Sequence, residues 1–219
     1  MDDKGVRRRH GGARRAAILA IAGILVYFLV DVALRVLEPQ YSLLRNAESD
    51  YGNGAFAWLM DLDFVLRGAA SAAVVLALTA VVRAAGLVRL GLSLVLVWAV
   101  ASALLAFFPD DLASAPVTSA GRVHLVLAVA AFVAMSVGAV IVAWALRRDA
   151  AWRPIIPLLS GLAVAGLVAL PLVGRPPLRG DLGLFERLFL GLELGWLLVV
   201  AAWAHRLDAH ERSRGSVPN

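Results

Sequence analysis

The sequence predicts an all-α fold: a polytopic membrane protein built as a six-transmembrane-helix bundle with both termini cytoplasmic. Three observations predict it. Of the 219 residues, 61% are hydrophobic, where a soluble domain has about 45–50%. Apolar runs of roughly 20 residues, long enough to cross a hydrocarbon core of about 30 Å, recur along the whole chain. The basic residues also divide by side. Lys4, Arg7, Arg8, Arg9, Arg14, Arg15, Arg83, Arg89, Arg147, Arg148, Arg153, Arg206, Arg212 and Arg214 flank one end of the runs, and only Arg45, Arg122, Arg175 and Arg179 flank the other. Cytoplasmic loops carry the arginine excess, so both termini are expected inside.

The spans read as 16–37, 55–82, 87–108, 123–146, 155–174 and 184–205. Short connections make successive helices antiparallel and the chain one transmembrane domain, 16–206, between a basic cytoplasmic tail, 1–15, and a polar one, 207–219. Arg14 and Arg15 before the first run resemble a twin-arginine export signal. The run is too long for one, however, and reaches Arg35 and Pro39 without a small-residue cleavage site, so it reads as an uncleaved first helix. Tyr51 to Gly54 is a turn signal, with Ser49 or Asp50 placed to cap a short turn. The second span is long and polar at its start, so it begins above the membrane or tilts. Pro109 closes the third, and Thr118 or Ser119 caps the fourth. Pro154 and Pro157 fall in the first turn of the fifth, where a missing N–H costs little. Pro171 is expected to kink its far end, and Gly161, Ala165 and Gly166 to allow close helix contact. Asp181 is placed to cap the sixth. The tryptophans fall mainly near helix ends and read as interface anchors.

Eight ionisable residues sit inside or at the mouths of these spans: Asp31, Arg35, Asp61, Asp63, Arg67, His124, Glu186 and Glu193. All fall in the half of the membrane away from the termini. A charge at bilayer depth costs roughly 2.5–3.5 kcal/mol on the insertion scale, so such residues are expected to face the bundle interior or a polar pocket. Asp31–Arg35 and Asp63–Arg67 repeat one pattern on two antiparallel helices. Each pair can close on its own helix face, or the two can exchange partners and clip the helices together. Glu193 lies about 15 Å into the sixth helix at 1.5 Å per residue and stands out as the deepest carboxylate. Glu186, two turns before it, shares its face and gains from the helix N-terminus. The candidate ligand pocket is made up of Asp31, Asp61, Asp63, Arg67, Asp111, His124, Glu186, Arg187 and Glu193. Glu193, His124 and Asp111 are expected to share one vestibule open to the outside.

Other chemistries are poorly served. There is no cysteine, hence no disulfide or thiolate metal site. His10, His205 and His210 lie at the opposite end from His124, which excludes haem held by paired histidines. A zinc site at His124 has no supporting spacing, so no metal and no cofactor is expected. A Ser–His–Asp hydrolase could draw on Ser42 or Ser49 with His124 and an outer acid, but no Gly-x-Ser-x-Gly elbow is present. The basic N-terminal segment is a topology signal near anionic headgroups rather than a nucleic-acid surface.

Three segments carry a family resemblance: Tyr41 to Gly52 (YSLLRNAESDYG); Phe108 to Asp111 (FPDD) followed by Thr118 to His124 (TSAGRVH); and Gly183 to Arg187 (GLFER) leading to Trp196. Together they resemble a bacterial six-helix membrane family known as domain of unknown function 998, over nearly the whole chain. The resemblance implies the six-helix fold and places Asp111, His124 and Arg187 at family positions. It implies no activity. The first segment departs from the family pattern at Ala47 and Glu48, where a hydroxyl residue is expected.

The sequence thus points to a multi-pass protein of the inner (plasma) membrane with an outward-facing polar pocket that binds or passes a small polar or lipid-headgroup ligand. Two alternatives stand beside it: an intramembrane lipid-acting enzyme using His124 and an acid, and an accessory subunit of a larger membrane-protein complex.

Overall fold

The computed structural model describes residues 3–82, 84–113, 115–173 and 180–215, with side chains from Gly12 to His210. Arg83, Ser114 and the 174–179 stretch, with Arg175 and Arg179, lie outside the described residues. The helices are α1 (Asp3–Leu37), α2 (Ala57–Val81), α3 (Gly86–Leu105), α4 (Ser119–Leu146), α5 (Ile156–Ala169) and α6 (Leu182–Gly215). All six carry stretches long and apolar enough to cross a membrane, and no strand occurs among the described residues. The segments expected as tails continue the helices: α1 already starts at Asp3 and α6 runs on to Gly215.

The helix ends follow local chemistry. Thr118, in extended conformation, caps α4 by accepting the Gly121 N–H at 3.0 Å, satisfying one of the donors a helix start leaves free. α3 stops at Leu105, three residues short of the expected end, in a turn closed by Phe107 N–H to Leu104 and Phe108 N–H to Leu105 carbonyls. Pro171 does not kink α5. It sits in a separate 3-10 turn, Leu170–Leu172, beyond the end of the helix, because a proline there cannot supply the N–H that would continue the ladder. Pro154 likewise lies in a 3-10 turn, Arg153–Ile155, and only Pro157 is in the first turn of α5.

Each helix packs on the next, and α6 returns to α1, closing a ring. The α1–α2 and α3–α4 interfaces are the broadest, and α6 also reaches α2 across the middle. In lipid, close packing of small residues replaces the hydrophobic drive of a soluble core. The buried surfaces accordingly include Ala17, Ala20, Ala70, Ala77, Ala139 and Ala201. Gly68 on α2 lies against the Ala99 carbonyl of α3, and a Cβ there would collide with backbone. Of the small residues expected to bring α5 close to a neighbour, Gly161 faces open space, while Gly166 seats the Glu193 carboxylate of α6.

The outside is a belt of exposed Leu, Val and Trp, among them Leu19, Leu29, Val36, Leu76, Val100 and Val126. Water tolerates no such continuous apolar surface, and a bilayer supplies its partner. Trp58 and Trp144 are exposed as expected of anchors, but Trp98, Trp152 and Trp196 are buried. The Trp98 indole N–H donates to the Ser71 hydroxyl at 2.9 Å, the kind of partner a buried indole seeks.

Candidate functional site

The site begins with the connection between α1 and α2, which folds down onto the bundle end opposite the termini. Glu38, Glu48, Ser49, Asp50 and Tyr51 are all buried there. Glu38 turns back to accept the Phe56 N–H at 2.7 Å and also bonds the Gln40 side chain. Asn46 accepts the Ser42 N–H at 2.9 Å and donates to Asp50 at 2.7 Å. The start of α6, which packs on α1, fastens the same segment. Leu184 N–H donates to the Leu44 carbonyl at 3.2 Å. Arg187 Nη1 reaches the carbonyls of Asn46 at 2.8 Å, Leu43 at 3.1 Å and its own Gly183 at 3.2 Å. Gly183 lies so close to the Leu43 and Asn46 carbonyls that any Cβ would collide with them. The strap and α6 therefore dock backbone to backbone.

Beneath this strap lies an acid-rich cluster. The Tyr27 hydroxyl of α1 donates to Glu48 Oε1 at 2.5 Å, and the Glu48 N–H donates to Glu186 Oε2 of α6 at 2.8 Å. Glu48 thus links α1, the strap and α6. Burial, with Asp31 nearby, pushes its carboxyl above the usual range, against the opposing pull of Arg67, the Tyr27 hydroxyl and Arg187. Burial raises Asp50 likewise.

The two Asp/Arg pairs resolve locally and differently. Asp31 pairs with Arg35 on its own helix. Asp63 is fully buried, with no hydrogen-bond donor for either carboxylate oxygen among the described residues. The Arg67 guanidinium instead sits 5.1 Å from both the Phe64 and the Trp98 ring centroids, a cation–π arrangement that suits a desolvated arginine. Of the two arrangements the pattern allows, Asp31 and Arg35 take the pairing within one helix, while Asp63 and Arg67 form no ion pair with α1 among the described residues. Asp61, two residues from Asp63, is on the exposed face of α2 and outside the cluster.

A cavity of about 360 Å³ opens beside the cluster, lined by α4, Leu170 and Val173 just past α5, the start of α6, the strap and Asp110 of the α3–α4 connection. Its polar end carries Ser49, Asp110, His124 and Glu186; its wall is apolar, with Leu125, Val129 and Phe132 of α4. Leu125 and Val129 are also largely exposed on the lipid-facing surface, so the groove opens sideways. The His124 Nδ1 lies 2.7 Å from the Phe108 carbonyl, so the nitrogen there carries the proton and Nε2 is left as an acceptor in the neutral ring. Ser49 donates to Asp110 at 2.7 Å.

His124 and Glu186 thus share this groove, but Asp111 and Glu193 do not line it. Asp111 holds the start of α4, accepting the Thr118 N–H at 2.7 Å and the Thr118 hydroxyl at 2.8 Å. Glu193 points into the bundle, fully buried, and accepts the Ser136 hydroxyl of α4 at 2.9 Å. One turn nearer the strap, the Phe132 and Phe189 rings pack tilted at 47° with centroids 4.7 Å apart, so a ring pair stands between Glu193 and the groove mouth. Among the described residues no three acids or histidines converge as a metal-ion donor set. Glu48, Tyr27 and Asp110 were not singled out as pocket residues by sequence reasoning. A loop glutamate and a helix tyrosine carry no depth signal until the strap folds over them. The one hint was Glu48 standing where the family pattern has a hydroxyl.

Six apolar helices in a closed ring, with titratable groups gathered at one end and lipid-facing side chains around the outside, define an integral, multi-pass membrane protein. The chain belongs to the family described as Protein of unknown function (DUF998), whose model matches residues 21–203. No curated protein and no solved structure matches it.

Proposed function

We propose that this protein binds an amphiphile from the surrounding leaflet, with the headgroup at Ser49, Asp110, His124 and Glu186 and the chain along α4. The observation that carries this reading is the groove itself. It joins buried polar side chains to an apolar wall exposed toward lipid, and its volume of about 360 Å³ falls within the roughly 300–1,000 Å³ of ligand sites. The arginine asymmetry supports an outward-facing groove in the plasma membrane. Native mass spectrometry of protein released from lipid nanodiscs is the direct test. A retained lipid is expected, and it should be lost when Ala128→Trp fills the groove. Should that side chain unsettle the bundle, Val129→Trp serves the same purpose. Equal lipid retention by both filled variants would remove the reading.

A second reading, a lipid-acting hydrolase, draws on the presence of Ser49, Asp110 and His124 in one groove. It is the weaker one, because Ser49 gives its proton to Asp110 rather than to His124, and a serine nucleophile needs the imidazole as base. Covalent capture of Ser49 by a fluorophosphonate probe would favour it.

A further inference from the structure

Among the described residues the groove lining is charged in one sense only: it holds two carboxylates, Asp110 and Glu186, and no arginine or lysine. The two described arginines whose charge reaches Glu186 are directed elsewhere. Arg187 is spread over three carbonyls, and Arg67 lies between the Phe64 and Trp98 rings. The groove is also rich in acceptors and poor in donors. Glu186 is nine-tenths buried, and only its Oε2 is occupied, by the Glu48 N–H. Its Oε1 has no hydrogen-bond donor among the described residues. His124 is 4% exposed, and its Nδ1 is taken by the Phe108 carbonyl, so Nε2 is the atom left for a ligand. The Ser49 proton is already given to Asp110.

A phosphate or carboxylate headgroup would meet two carboxylates here and no arginine or lysine among the described lining residues, and like charges at close range in a partly dry site repel strongly. An ammonium group supplies what is missing: positive charge and several N–H donors. The apolar wall from Leu125 to Val133 on α4 runs roughly 12 Å at 1.5 Å per residue, a strip one helix face wide, which suits one alkyl chain. We propose that the groove selects a single-chain cationic amphiphile, with its ammonium held by Glu186 and Asp110 and its chain against Leu125, Val129 and Phe132. The inference rests on the amphiphile-binding reading of the same groove.

The test compares four probes of one chain length and one lysolipid: dodecylamine, dodecanol, dodecanoate, dodecyl phosphate and a zwitterionic lysophosphatidylcholine. Each is titrated into the full-length protein in nanodiscs and read by native mass spectrometry, with Ala128→Trp as the background for chains partitioned into lipid. Dodecylamine should exceed dodecanol by about tenfold or more in affinity, the scale of one charge-assisted hydrogen bond. Asp110→Asn and Glu186→Gln, which keep an acceptor oxygen for Ser49 and for the Glu48 N–H, should each erase most of that preference while dodecanol binding persists. If Glu186→Gln does not fold, Asp110→Asn alone decides. Dodecanoate, dodecyl phosphate or the lysolipid binding as tightly as the amine would overturn the headgroup assignment and leave the groove reading intact. No probe exceeding the Ala128→Trp background would overturn both.

Discussion

Glu48 shows how one side chain can hold a polar cluster together. It accepts from Tyr27, lends its backbone N–H to Glu186, and lies within electrostatic reach of Asp31 and Arg67. Its carboxyl titrates above the usual value in the folded protein, so the neutral form is the one folding favours. The linked stabilisation is fully present below the ordinary glutamate pKa of about 4.3 and is lost as pH rises through the elevated folded value. Wild-type protein should therefore lose melting temperature relative to Glu48→Gln as pH rises across that window, in detergent at constant salt. Parallel curves would show that Glu48 does not contribute to the pH dependence. Arg67 offers a second residue-scale test, since its charge acts on both Glu48 and Asp63 within the bundle. Arg67→Met should cost about 3 kcal/mol or more by leaving those acids without it. Adding Asp63→Asn should recover part of the loss, a coupling that a double-mutant cycle measures. Strict additivity would mean the rings of Phe64 and Trp98, not the acids, set the worth of Arg67.

At the scale of elements, the start of α4 separates structural from ligand-facing acids. Asp111 and Thr118 form a closed unit in which Thr118 accepts from Gly121 and Asp111 receives both the Thr118 N–H and its hydroxyl. Losing such a cap costs about 0.5–2 kcal/mol. Asp111→Ala should lower stability by that order in a thermal melt while leaving any groove ligand in place by native mass spectrometry. Loss of the ligand without loss of stability would return Asp111 to the pocket. Its neighbour Asp110 does line the groove, so adjacent acids in one loop divide the two roles. The sequence presents them as equals, because nothing in Phe-Pro-Asp-Asp says which carboxylate turns toward Thr118.

For the whole molecule, the closed ring and the docked strap gather a cluster of buried acids at the end of the bundle away from the termini. An even number of antiparallel helices puts both termini at the other end. On the arginine asymmetry, that end is expected to face the cytoplasm. The chain has no cysteine, so single substitutions read the orientation directly. Asn53→Cys and Pro116→Cys should react with an impermeant maleimide in intact cells, and Ala85→Cys and Ala150→Cys should react only after lysis. Labelling at position 85 in intact cells would invert the topology.

Sequence alone determined the six spans to within a few residues, because length and continuous apolarity are one-dimensional properties that the bilayer reads directly. It also pointed inward for Asp31, Asp63, Arg67, His124, Glu186 and Glu193, all of them buried, though Asp61 is exposed. Tertiary structure alone decided which of these meet. Glu193 finds Ser136 on α4 rather than Arg187 or His124, since the Phe132–Phe189 pair lies between it and the groove. Arg187 leaves the cluster for the carbonyls of the strap, and Glu48 enters it from a loop. Partner choice depends on helix rotation and on where a long loop folds back. Both are set by packing between residues far apart in the chain, which no local pattern encodes.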